Sequence, residues 1–73
     1  MKATLEFNLP DDNHDFELAS RAVKWYSAMW ELDQFLRSKV KYDESLSDDA
    51  HEAFQEARDK LYEILNDNSI SFD

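Results

Sequence analysis

Residues 15–40 hold neither glycine nor proline, and apolar side chains recur through them at steps of three and four. One row runs Phe16, Ala19, Val23, Tyr26, Trp30; a second runs Leu18, Ala22, Trp25, Met29, Leu32, Leu36. Such steps follow the period of an α-helix. Two rows side by side make an apolar face too broad to stay solvated, so something must cover it. At the rise of an α-helix the stretch spans about 35–40 Å, and every other segment is short enough to be its packing.

Upstream, residues 2–9 alternate, with Ala3, Leu5, Phe7 and Leu9 to one side and Lys2, Thr4, Glu6 and Asn8 to the other. Period two predicts a half-buried strand, and Pro10, which has no amide hydrogen for a ladder, ends it. Asp11, Asp12, Asn13 and Asp15 are helix-capping types whose charge suits the positive end of the helix dipole. They place the long helix over residues 13–40. Glu17 precedes Arg21, and Asp33 precedes Arg37, by four residues, the favourable order for ion pairs along a helix. Arg37, Lys39 and Lys41 gather where cations meet the negative end of the dipole; a phosphate-binding patch is the alternative use.

Residues 42–47 have the length of a helix–helix connector, and Ser47 is the expected N-cap of a second helix with Asp48 and Asp49 in its first turn. That helix is expected over residues 48–65. Ala50, Phe54, Ala57, Leu61 and Ile64 give it a heptad-like seam that would lie antiparallel on the first helix. Asn66, Asp67 and Asn68 are helix-ending residues. Ile70 and Phe72 then share one side of a short terminal strand, residues 69–72, able to pair with residues 2–9 of the same chain or of a second copy. The expected fold is mainly α with a small β part (α+β). It is one domain over residues 1–73, an antiparallel helical hairpin with a short N-terminal strand and a short C-terminal strand.

A chain of 73 residues folds as one domain and buries only about 60% of its unfolded surface, a marginal core for a monomer. The broad apolar face and two edge strands make a homodimer the expected state. Seventeen acids against eight bases leave a formal net charge of −9. Like charge disfavours direct contact with nucleic acid or an anionic membrane and favours a partner with a basic surface. There is no cysteine, so disulfides and thiol chemistry are excluded, which fits a reducing compartment. No secretory leader is recognisable, and no apolar run nears the ~20 residues of a membrane span. Without glycine there is no phosphate-cradling loop.

Little in the sequence points to catalysis. His14 and His51, each three residues after an acid, lie near expected helix starts, where the acids serve as caps. The seam is apolar and lacks the inward carboxylates of a di-iron bundle. Ser20, Ser27 and Ser38 have no histidine positioned to activate them, and a two-helix domain encloses little volume for a pocket. We therefore expect no enzyme and no catalytic, cofactor or metal residue.

The candidate contact residues are aromatic and acidic. Trp25 and Trp30 are five residues apart, which turns them about 140° from one another around a helix, so one neighbouring helix cannot cover both. Tryptophan and tyrosine supply core area, and they also dominate interface hot spots. On the second helix Glu52, Glu56, Asp59 and Glu63, spaced four, three and four, form a stripe opposite the seam, with Asp43, Glu44, Asp48 and Asp49 upstream. Such a stripe is an ordinary solvated face. Its members also rise by about 4.5–6 Å, within a factor of two of phosphate spacing along a nucleic-acid strand, so the sharper expectation is a charge mimic.

The opening KATLEFNLP followed by acids, the central SAMWELDQFLR and the later KLYEILND resemble a group of small acidic proteins encoded by tailed bacteriophages. The resemblance implies a viral accessory protein working in the cytoplasm of a bacterial host. It implies action by binding and blocking a host protein such as a nuclease, a polymerase or an immune effector. It carries no catalytic residue with it. A structural or assembly module, homodimeric and without inhibitory action, is the alternative.

Overall fold

The computed structural model describes residues 1–73 and holds three helices: α1 over Asn13–Ser20, α2 over Ala22–Lys41 and α3 over Asp48–Asp67. It has no strand, which overturns the expected strands at residues 2–9 and 69–72 and with them the β part of the fold. An extended segment becomes a strand only when a neighbour takes up its N–H and C=O groups. Residues 1–7 make no backbone hydrogen bond, and Phe7 packs edge-on against Phe16 of α1 with ring centres 5.8 Å apart. At the other end Phe72 stands edge-on to Tyr26, at 5.9 Å, and to Tyr62, at 6.1 Å. The Tyr26 hydroxyl donates to the Phe72 carbonyl. Side chains of α2 and α3 thus hold the tail where a partner strand was expected.

The helix expected over residues 13–40 is interrupted at Arg21, whose φ of −101° and ψ of 6° leave the helical region. Ser20 donates its hydroxyl to the Glu17 carbonyl at 3.0 Å, a back-bond that competes with the helix ladder and bends it. The ladder still runs through: the Arg21 amide donates to Glu17 at 3.0 Å and the Trp25 amide to Arg21 at 3.1 Å. At the start of α1, Asp12 faces backwards. Its carboxylate accepts from the Asn8 amide at 2.9 Å and its own amide donates to the Asn8 carbonyl at 2.8 Å, so no side chain caps the helix.

α3 begins at the expected cap. Ser47 is extended, and its hydroxyl accepts from the Ala50 amide at 3.2 Å. The helix ends in a Schellman motif. Ser69 sits in the left-handed region at φ 56°, its amide donates to the Asn66 carbonyl at 3.0 Å, and the Ile70 amide donates to the Leu65 carbonyl at 3.0 Å.

α2 and α3 run antiparallel. Phe35 meets Phe54 edge-on at 6.3 Å, and the His51 Nε2–H donates to the Val40 carbonyl at 2.6 Å where the helices are joined. The seam of α3 is rotated from the expected one. Leu65 is buried while Ile64 and Ala57 are exposed. The cause is a polar cluster in the seam. Asp33 is 3% exposed and accepts from Arg58 Nε at 2.9 Å and from the Tyr62 hydroxyl at 3.0 Å. The Arg58 guanidinium lies 5.4 Å from the centre of the Tyr62 ring. Asp33 therefore pairs across the hairpin and not with Arg37, whose guanidinium lies 5.8 Å from the centre of the Tyr42 ring. Leu36 and Leu65 are the only buried apolar residues. At about 1.5–3 kcal/mol each, two such side chains are a small fraction of what orders two twenty-residue helices.

Candidate protein-interaction site

The stripe of α2 that faces α3 does not stop where α3 stops. It continues through Trp25 and Ala22 into Leu18 of α1, and α1 touches α2 but not α3. Leu18, Ala22, Trp25 and Met29 form the floor of an open groove of about 550 Å³, and Leu65, Ile70 and Phe72 form its wall. Trp25, 59% exposed, stands between this groove and a second hollow of about 340 Å³, lined by His14, Glu17, Arg21 and Lys24. Glu17 and Arg21, expected to pair, do not, and Lys24 is also free of ion pairs. Trp30 opens instead on a third hollow of about 420 Å³ with Tyr26, Ser27 and Glu31. Trp25 and Trp30 are both on α2 and half exposed, but they serve different hollows.

The acidic residues lie elsewhere. Glu52, Glu56, Asp59 and Glu63 are all exposed on α3. Asp59 accepts from Gln55 at 2.8 Å, and Glu63 pairs with Lys60 at 3.3 Å, an exposed pair that offsets little charge. The stripe is not joined to either tryptophan in one site. Of the acids upstream, Asp43 locks the connector. It pairs with Lys39 at 3.2 Å and accepts from the Ser45 amide at 3.0 Å and from the Ser45 hydroxyl. The Ser45 hydroxyl, then Lys39 and the Ser45 amide, hold its carboxyl below the usual carboxylate range. Arg58 is pushed the other way, above the usual arginine range, chiefly by its hydrogen bond to Asp33.

Sequence reasoning missed the groove wall, because it placed Ile70 and Phe72 in a strand. It also missed the Asp33–Arg58–Tyr62 cluster. The available signal was an acid in the stripe Met29, Asp33, Leu36, Val40 and a base in the stripe Phe54, Arg58, Leu61, Leu65. Opposite charges at stripe positions of two antiparallel helices mark a register.

No three histidine, aspartate or glutamate side chains converge on a point where a metal ion would sit. No helix is long and apolar enough to cross a membrane. No family model, curated protein or solved structure matches the chain.

Proposed function

We propose that this protein acts by binding other proteins and not by catalysis, in the manner of the small acidic phage accessory proteins it resembles. The uncompensated acidic face of α3 carries this reading: Glu52, Glu56, Asp59 and Glu63 are exposed, and one of the four has a basic partner. A host protein with a basic surface, a nucleic-acid enzyme or defence effector in the bacterial cytoplasm, is the partner such a face fits. Dense like charge accelerates encounter with that surface and makes association salt-dependent.

The test is a Glu52→Gln, Glu56→Gln, Asp59→Gln, Glu63→Gln variant, measured against the host protein that the wild type captures. Glutamine matches glutamate in size, adds one methylene at the exposed Asp59 position and keeps helix propensity, so helicity should persist. Association at low salt should slow at least tenfold, and its salt dependence should flatten. An unchanged rate and salt slope for the folded variant would remove the mimic reading. A second reading, a homodimeric assembly module without inhibitory action, is favoured by the groove that α3 leaves uncovered.

A further inference from the structure

We propose that a second copy of this chain covers the groove, by two-fold antiparallel packing of α1 and the first half of α2 on the same elements of its mate. The inference rests on the self-associating reading and names the surface and register it uses. Three observations carry it.

The first is area. The chain exposes 6451 Å², whereas a compact protein of its mass exposes about 4,700 Å². The excess of about 1,700 Å² per chain, to which the extended residues 1–9 also contribute, leaves room for the roughly 800 Å² that each partner of a standard interface buries. The second is position. The apolar stripe that α3 covers from Val40 to Met29 runs on through Trp25, Ala22 and Leu18 with the tail residues Ile70 and Phe72 along one side of it and no helix over it. A mate's α1 laid antiparallel on it occupies the line that α3 vacates, and two-fold symmetry gives each copy the same cover.

The third is charge. Glu17, Arg21 and Lys24 line one flank of the stripe in that order and are unpaired within the chain. Parallel two-fold packing would face this flank to the mate's opposite flank, where Ala19 and Tyr26 carry no charge. Antiparallel packing, with Leu18 of one copy against Trp25 of the other, sets the flank against its own copy and brings Glu17 within reach of the mate's Lys24 twice over, two opposite-charge pairs against one like pair of Arg21 side chains near the axis. The two-fold axis then passes beside Ala22.

Sedimentation of the full chain at micromolar concentration should give twice 8.7 kDa. Leu18→Glu, at a side chain already half exposed in one copy, should keep helical circular dichroism and weaken the dimer at least tenfold. Glu17→Lys should weaken it, and Glu17→Lys with Lys24→Glu should restore it, because only a pair between copies is rebuilt by that exchange. The chain has no cysteine, so Ala22→Cys should oxidise to a covalent dimer while Ala53→Cys on α3 should not. A monomer at all concentrations would overturn both this inference and the self-associating reading. A dimer that ignores Leu18→Glu and leaves Ala22→Cys unlinked would overturn this interface and leave self-association standing.

Discussion

Asp33 decides the register of the hairpin. It is the one charged residue that the fold buries, and α3 supplies its ion-pair partner Arg58 and the Tyr62 hydroxyl, while its own helix adds a longer bond from the Gln34 amide at 3.4 Å. Local spacing read it as an ion pair with Arg37, because four-residue steps are all that a single helix displays. Which residue faces it across a seam depends on how two helices align, which no local spacing encodes. Removing one member of a buried pair costs about 3–5 kcal/mol, while replacing both with apolar groups is often neutral. Asp33→Ala should therefore lose most of the stability of so small a domain in urea unfolding. Asp33→Leu with Arg58→Met should stay within about 1 kcal/mol of wild type. Equal losses for the two would show that the charge is incidental. Asp43 sets a pH dependence. Its lowered folded-state pKa means that its stabilising contribution is complete above the ordinary carboxylate range. That contribution is lost as pH falls through the lowered value. Ser45→Ala removes the largest cause, so the Asp43 carboxyl carbon followed by NMR should titrate nearer the ordinary value. Arg58 has the opposite sense: its contribution is full below the usual arginine range and is lost only above it, far from neutrality.

The elements were legible where a residue signals by itself. Ser47 marked the start of α3 through its capping hydroxyl, and the apolar steps marked α2. The terminal strands were misread because alternation in residues 2–9 says which sides could be apolar but supplies no neighbouring backbone. Ile70 and Phe72 share a side by period two, yet the turn after α3 delivers them to aromatic neighbours. That turn is built without glycine. Ser69 holds a left-handed conformation that costs a residue with a Cβ roughly 1–2 kcal/mol. Ser69→Gly should recover about 1 kcal/mol and raise the thermal midpoint by about 4–8 °C in a domain of this size. A lower midpoint would mean that the serine side chain contributes more than its backbone costs.

At the scale of the whole molecule the chain is an extended rod. Its radius of gyration is 17.2 Å and its extents are 52 × 27 × 18 Å, against a radius of about 11 Å for a compact chain of this length. α3 completes the lower part of α2, while α1 and the upper part have the edge-on contacts of Phe7 and Phe72 and no third helix against them. The sequence indicated that the long apolar face needed cover, and it indicated that Trp25 and Trp30 could not share one neighbour. It indicated where α3 ends in the chain but not how far along α2 that end would reach, because the reach depends on the seam register that Asp33 and Arg58 impose. Val23, 77% exposed, and Trp25 belong to that unfinished end. Amide hydrogen exchange across a concentration series separates the two parts in one experiment, since protection reports local opening. The amides of α1 and of the first half of α2 should gain protection steadily from nanomolar to high micromolar protein, while those flanking Asp33 and Arg58 stay equally protected throughout. Exchange in α1 that is the same at every concentration would contradict a face completed by association.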